Sequence, residues 1–529
     1  MIVLCQWEMP CFFLSISPSR RNLPLLRPES LCPRRQAGLC TNFLWDRAMF
    51  YRLIIFCAAT LTTIAPTRAL AAAGVFRQPN ILFLFSDDQR ADTIAALGNR
   101  EISTPNLDRL VKSGTSFTRA YCMGAQQGAV CVPSRAMLMT GRTLFRIKEN
   151  LEGQTTWPEM FAHAGYATFL TGKWHNGAAS VVRAFHQGKA IFLGGMGDPY
   201  NLVLQDISPE HHLVNQRRSG NHSVQIFADC AIEFIREQQQ KDGKPFLAYV
   251  AFNCPHDPRV APASYHEKYN ARKPALPKNF LPQHPFNNGE MVVRDEQLAP
   301  WPRTPEIVRQ HLADYYSYIE FLDDQIGRIL TELKSSGQLE RTVIVFASDH
   351  GLAIGSHGLF GKQNLYDHSM HAPLMFAGPG IPKDKRADAL CYLLDIFPTL
   401  GELAGVTPPD GSEGKSLVPI LAGGASRARD SIFTAYRQVQ RAVRDDRWKL
   451  IVYPQINQTQ LFDLKRDPIE MHDLSGDPGH DAEQRRLLNL LQHWQKELGD
   501  QQSLRSEQPL PLAFDFSKIT RPNNVKPLE

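Results

Sequence analysis

Asn80-Ile81-Leu82-Phe83-Leu84-Phe85-Ser86-Asp87-Asp88 is a continuous apolar run that closes on two adjacent carboxylates. A run that is apolar on both faces reads as a strand covered on both sides, the habit of parallel sheets packed between helices. Two later stretches repeat the pattern. Phe246 to Phe252 leads into Pro255-His256-Asp257-Pro258, and Thr342 to Ser348 leads into Asp349-His350-Gly351. Helical segments alternate with them. Ser223 to Gln239 carries Val224, Phe227, Ala231, Phe234 and Ile235 on one side, and Pro305 to about Ser335 is a long helix. The alternation predicts an α/β domain. Ligand residues in open α/β sheets collect beyond the carboxyl ends of strands. His256 is therefore expected to join Asp87, Asp88, Lys173 and His175 at one edge, and Asp349 marks a third strand with an acidic end.

Adjacent carboxylates are costly to bury unless a positive charge joins them, and a hard divalent cation ligated by oxygen would serve. Read alone, Asp87-Asp88 fits either that or a solvated strand-end turn. A second stretch concentrates chemistry: Cys131-Val132-Pro133-Ser134-Arg135-Ala136-Met137-Leu138-Met139-Thr140-Gly141-Arg142. Pro133 suits a helix first turn and Ala136 to Met139 can continue it. Cys131 would then sit at a helix N-terminus, where backbone N–H groups favour negative charge. A buried structural cysteine is the plainer reading. In Gly165 to His175 the first half reads as a strand. Lys173 and His175 lie beyond its end, two apart, and extended backbone would put them on one face. Gly361-Lys362 opens a loop before a strand from Pro373 to Ala377.

The remaining chain supplies punctuation. Thr104 and Thr156 read as helix N-caps, with Pro105 at a first helical position. Residues 176–222 are poorly patterned and read as surface loops near the pocket mouth, with His211-His212 as exposed loop histidines. Residues 257–304, rich in Pro, Asn and Lys, read as a long irregular excursion suited to substrate selection. Past about Ala425 the character changes. Ala442 to Tyr453 reads as a hairpin turning at Asp445-Asp446. Gln460 to Leu464 is another short strand, and Asp481 to Leu498 is an amphipathic helix. Residues 501–529 read as a weakly ordered tail.

Composition is that of an ordinary globular protein, 43% hydrophobic and 21% charged. The net charge of +5 is concentrated at the N-terminus. Residues 1–71 hold Arg20, Arg21, Arg27, Arg34, Arg35, Arg47, Arg52 and Arg68 against Glu8, Glu29 and Asp46. Without them the 58 basic and 53 acidic residues become 50 and 50. No case remains for a nucleic-acid partner. Residues 49–71 read as a signal peptide, with Met49, Arg52, an apolar stretch from Leu53 to about Ala65, and Ala69-Leu70-Ala71 as a cleavage site. That stretch is too short for a stable transmembrane span. Residues 1–48 then read as a misassigned extension, and the expected location is secreted or periplasmic. Cys122, Cys131, Cys230, Cys254 and Cys391 follow the cleavage site, and spacing does not say whether any pair.

Five segments, in order, resemble the type I sulfatases of the alkaline-phosphatase-like superfamily. Cys131 to Arg142 completes the signature C-x-P-S-R-x-x-L-x-T-G-R, whose cysteine is oxidised to formylglycine. Pro79 to Asp88 resembles the metal-site segment P-N-I-x-x-x-x-x-D-D. Gly165 to His175 is similar to the second signature in loose form, with Thr171 for a small apolar residue. Asp349-His350 resembles the other half of the metal site, where many relatives carry Asn and iduronate- and choline-type members carry His. Gly361 to Ser369 looks like G-K-x-x-x-Y-[DE]-x-S, whose lysine contacts the sulfate. His371 stands where relatives often have Arg, which implies the loss of a helper contact.

The resemblance implies a large, mixed, mostly parallel sheet flanked by helices over residues 75–425. A smaller C-terminal antiparallel sheet plus helix would occupy 426–500. It implies a sulfuric ester hydrolase acting on a sulfated carbohydrate, choline or aryl substrate. The metal ligands would be Asp87, Asp88, position 131, Asp349 and His350, a second-layer contact being the other reading of His350. Oxygen-rich ligation favours Ca²⁺, with Mg²⁺ or Mn²⁺ as alternatives. Arg135, Lys173 and Lys362 would complement the sulfate and nucleophile charge. On this resemblance the hydrated formylglycine, a gem-diol, would attack sulfur with one hydroxyl. His256 or Lys362 would protonate the departing alcohol, and His175 would take the proton of the second hydroxyl as sulfate leaves. A formylglycine-generating or anaerobic sulfatase-maturing enzyme is the implied partner. Two other functions fit the chain: a phosphate or phosphonate monoester hydrolase of the same superfamily, and a non-catalytic secreted carbohydrate-binding protein with unmodified Cys131.

Overall fold

The computed structural model describes residues 78–241 and 243–519. The expected signal peptide and the extension before it lie outside the described residues. No described helix is long and apolar enough to cross a membrane. The described residues fall within one compact unit, Arg77–Glu529, which carries two sheets.

The strands are β1 (Asn80–Ser86), β2 (Gly114–Tyr121), β3 (Gly124–Ala125), β4 (Ala167–Lys173), β5 (Gln187–Phe192), β6 (Val203–Ile207), β7 (Leu213–Arg218) and β8 (Phe246–Ala251). They continue with β9 (Thr342–Ser348), β10 (His371–Ala377), β11 (Lys385–Ala387), β12 (Cys391–Tyr392), β13 (Ile432–Tyr436), β14 (Gln440–Arg444), β15 (Trp448–Tyr453) and β16 (Gln458–Asp463). The large sheet runs β11-β2-β10-β9-β1-β8-β4-β5-β6-β7, with β12 beside β2. Its centre, from β9 to β5, is parallel. The small sheet runs β16-β15-β14-β13-β3 and is antiparallel except where β13 meets β3. This is the α/β architecture that the sequence implies, with helix Asp481–Leu498 in the C-terminal region as expected.

β1 shows why its run is unbroken. Ile81, Phe83 and Phe85 pack into one core and Leu82 and Leu84 into another, on the opposite face of the sheet. Alternate side chains of a strand point to opposite faces, so a strand covered on both sides is apolar at every position. In register, Ser86 pairs with Ser348 and Phe85 with Ala251. The polar residues that follow β1, β9 and β8 therefore emerge side by side.

Four expectations are corrected. Residues 176–222 are not all loops: they contain helix Ala178–Ala184 and three strands, β5 to β7, that extend the sheet. β6 and β7 lie at its edge and are half-exposed and polar, so no apolar run announced them. Within 257–304, Ala263–Arg272 is a helix packed on the long helix Pro305–Ser335. Thr104 makes no side-chain cap, because its hydroxyl is committed to Asp108, whereas Thr156 and Glu159 form a full capping box. The tail is fastened as far as it is described. Leu510 N–H donates to the Gln455 carbonyl, Asn287 N–H to that of Leu512, and Asn457 and Ser506 exchange two hydrogen bonds. The five cysteines that follow the expected cleavage site are all free.

Candidate active site and metal centre

The site forms where the parallel strands end and helix Cys131–Thr140 begins. β3 leads into that helix and is itself the edge of the small sheet. Gly124 is required there: its φ is +100°, and a Cβ would stand 1.9 Å from the Ala435 carbonyl oxygen. The pairing fixes the chain just ahead of Cys131.

Past β1 the backbone turns sharply, with Asp88 at φ +65°. Tyr315, on the long helix, holds the turn by donating to the Asp88 carbonyl at 2.6 Å and accepting from Arg90 N–H at 2.8 Å. Asp88 N–H donates to Asp349 Oδ1 at 3.0 Å. Asp87, Asp88 and Asp349 are buried and present one oxygen each within 4.8 Å of one another. Cys131, Asp349 and His350 form an overlapping group on the same criterion, and so do Asp88, His256 and Asp257.

Cations neutralise the carboxylates. Lys173 Nζ lies 2.5 Å from Asp87 Oδ2, and Lys362 Nζ lies 2.8 Å from Asp88 Oδ1. Arg135 reaches Asp349 at 3.1 Å and Asp87 at 3.5 Å, donates to the Lys173 carbonyl, and lies over the Phe85 ring. Burial works against the charged form of Asp87, yet Lys173 and Arg135 hold its carboxyl well below the usual range. Burial, with Asp87 adding to it, pushes Asp349 up to about 6. Burial opposes charge on His350, but Asp349 and Asp88 raise it to about 9.

Cys131 sits at the centre. Its Sγ is 3.3 Å from His175 Nδ1 and 3.8 Å from Lys173 Nζ. Burial opposes ionisation, yet Lys173 and Lys362 hold the thiol well below its usual value. Position 131 therefore favours an anionic atom. The route by which Lys173 and His175 meet differs from expectation. Lys173 is still in β4, and His175 has φ +69° rather than extended backbone. The turn swings the imidazole onto Cys131. His256 Nε2 lies 3.7 Å from Asp88 Oδ2.

Every predicted site residue is thus in one cluster. His371 is elsewhere, stacked on Tyr121, while Arg444 and Lys449 hold the neighbouring Asp367. Several rim residues were not singled out. Arg294 pairs with Asp257 and Asp295, and Gln363 donates to Asp295 and to the Gly128 carbonyl. Gln127 donates to Glu149, and Asn176 ties the Glu149 carbonyl to that of Val132. Gly195 lies against the His175 ring. Arg294 and Asp295 do fall in the excursion expected to select substrate, but polar residues in an irregular segment carry no periodic signal.

The donor set fits a hard cation. Asp87 Oδ1 and His350 Nε2 are buried and have no hydrogen-bond partner among the described residues. Buried polar atoms are rarely left so. Three carboxylates face three permanent cations, Arg135, Lys173 and Lys362, so a divalent ion would leave the site positive and able to bind an anion.

Comparison with known proteins agrees with this geometry. The family model described as Sulfatase matches residues 79–406. That described as N-sulphoglucosamine sulphohydrolase, C-terminal, matches residues 355–497. An N-acetylglucosamine-6-O-sulfatase of Bacteroides thetaiotaomicron is 27% identical, over 80% of this chain and 87% of that protein. A choline-sulfatase of Rhizobium meliloti is 28% identical, over 80% of this chain and 88% of that protein. A solved structure in complex with its substrate D-glucosamine-2-N,6-O-disulfate superposes with a TM-score of 0.67 at 23% identity. The match covers 81% of this chain and all of that one.

Proposed function

Because the chain belongs to the sulfatase family and is a sulfuric ester hydrolase, we propose that it desulfates a saccharide through a matured Cys131 and a divalent cation. The carrying observation is the convergence of Cys131, Lys173 and His175 on the Asp87, Asp88 and Asp349 cluster. The saccharide assignment is supported by the relative named for N-acetylglucosamine 6-O-sulfate and by the neighbour solved with a glucosamine disulfate.

Asp87, Asp88, Asp349 and His350 would hold the cation, Ca²⁺ first, with position 131 completing the set. The cation supplies Lewis-acid charge neutralisation, and formylglycine at position 131, as its hydrate, supplies the nucleophilic hydroxyl. The chain's own residues do the rest. Arg135 fixes the Asp87 and Asp349 carboxylates. Lys173 and Lys362 complement the sulfate oxygens. His256, with Nδ1 held 2.7 Å from the Asp257 carbonyl, presents Nε2 to the leaving oxygen as proton donor, with Lys362 as the alternative donor. His175 Nδ1 takes a proton from the side chain at position 131. Residues 75–425 are assigned to catalysis and 426–500 to the smaller subdomain. Export behind a signal peptide at Met49 and modification by a maturing enzyme complete the reading.

The test is sulfate release by protein coexpressed with a maturase, across sulfated monosaccharides, choline sulfate and aryl sulfates. Turnover of a sugar sulfate is expected, and Cys131→Ala should abolish it. Peptide mass spectrometry should find the aldehyde at position 131. Full activity in Cys131→Ala, or an unmodified thiol in active protein, would sink the mechanism.

A further inference from the structure

A second polar cavity, of about 620 Å³, opens beside the small sheet. One wall is Gly289–Glu290, from the excursion before the long helix. Packed against it is Arg437 to Val439, the turn between β13 and β14. Gln126, Phe145, Arg441, Gln455 and residues 500–502 line the rest. Gln502 belongs to the tail that folds back over the small sheet.

The segments that line the cavity are tied to the active-site loop through buried Gln440, which follows Val439. The Gln440 amide donates to the Asn288 carbonyl at 3.3 Å and to the Gln363 carbonyl at 3.4 Å, and its oxygen accepts from Leu365 N–H. Gln363 directly follows Lys362. Gln126 stands five positions before Cys131, so at most ~17 Å of extended chain separates them. The intervening Gln127 and Gly128 are the residues that contact Glu149 and Gln363 at the rim.

Its chemistry is specific. Both cations in the lining are paired, Arg437 with Glu290 at 2.5 Å and Arg441 with Asp500 at 2.6 Å. The lining therefore has no spare positive charge for a second sulfate. The side-chain amides of Gln126, Gln438 and Gln455 make no hydrogen bond among the described residues. Free amides can donate and accept at once, as neighbouring sugar hydroxyls require. Phe145 adds an apolar face against which a ring's C–H groups can lie.

We propose that this cavity is a second subsite, taking an unsulfated sugar unit of an oligosaccharide whose sulfated unit enters the active site. The inference rests on the sulfatase reading above and extends it from a monosaccharide to a chain.

The experiment compares kcat/KM of the matured enzyme for 4-methylumbelliferyl sulfate and for monosulfated mono-, di- and tetrasaccharides of one series, the one best turned over. Lengthening the sugar should raise kcat/KM roughly tenfold, equivalent to ~1.4 kcal/mol of subsite binding. Gln126→Ala, Gln438→Ala and Gln455→Ala should each reduce that gain while leaving aryl sulfate turnover and the melting temperature unchanged, which separates the subsite from a folding defect. Equal kcat/KM for short and long sugars overturns the subsite and leaves the sulfatase reading standing, and so does a length gain that survives all three variants. Matured protein that turns over no sulfate ester overturns both.

Discussion

His175 Nδ1 lies 3.3 Å from Cys131 Sγ, and Gly195, from the turn between β5 and β6, is in contact with the same imidazole. A Cβ at Gly195 would stand 2.7 Å from both Cε1 and Nε2 of that ring. The half-buried ring can be displaced at small cost in stability but not in position.

Gly195→Ala should therefore lower kcat by roughly ten- to hundredfold, since a displacement of about 1 Å suffices for such a loss. Its melting temperature should match the parent's. Steady-state kinetics and thermal unfolding on one preparation decide it; unchanged kcat would mean that His175 is not held where it is needed.

Arg135 is buried against Asp87, Asp349 and the Lys173 carbonyl. Arg135→Ala should cost about 3–5 kcal/mol, the usual price of leaving buried charge uncompensated. Arg135→Lys should recover only part of this, because one ammonium cannot span three acceptors. Urea unfolding measures both, and a loss below 1 kcal/mol in the alanine variant would contradict the arrangement.

Chelation provides a third test. With cation at roughly 100 times its Kd, binding to the folded state alone contributes about 2.7 kcal/mol. EDTA treatment should lower the melting temperature and remove turnover, and Ca²⁺ should restore both. Asp87→Asn should blunt the thermal response. A melting temperature indifferent to chelator would count against the carboxylate cluster as a cation site.

A fourth test concerns acid. His284 and His357 are buried beneath the small sheet, and burial depresses them to about 3 and about 4 from an ordinary 6.5. The His284 ring packs against Tyr366, on which His357 also stacks. Their neutral forms are favoured only in the folded protein. Their contribution is fully present above pH 6.5 and is lost as pH falls, down to about 4 for His357 and to about 3 for His284. At pH 5 the loss is about 2 kcal/mol for each. Unfolding free energy should fall accordingly between pH 7 and pH 5. His357→Gln should flatten that slope, and an unchanged slope would exclude the histidine.

Much of the site was legible in the chain because parallel strands buried on both faces are apolar throughout. The polar residues at their ends then stand out as Asp87-Asp88, His256 and Asp349-His350. The edge of the sheet was not legible. β6 and β7 are held by backbone pairing to neighbours and half face solvent, so neither apolar periodicity nor a continuous run marks them. The rim was hidden for a related reason. Arg294 meets Asp257 across 37 positions, and Gln363 meets Gly128 across 235.

The sequence by itself determined the central buried strands, the identity of the reactive residues and the family pattern they spell, because each depends on side-chain type and local spacing. The tertiary structure alone decided how those residues face one another. Positive φ at Asp88 and His175, the docking of Tyr315 and the seat of β3 on the small sheet depend on contacts between distant segments. Local spacing cannot encode such contacts, because they are stabilised only when the whole sheet has closed around them.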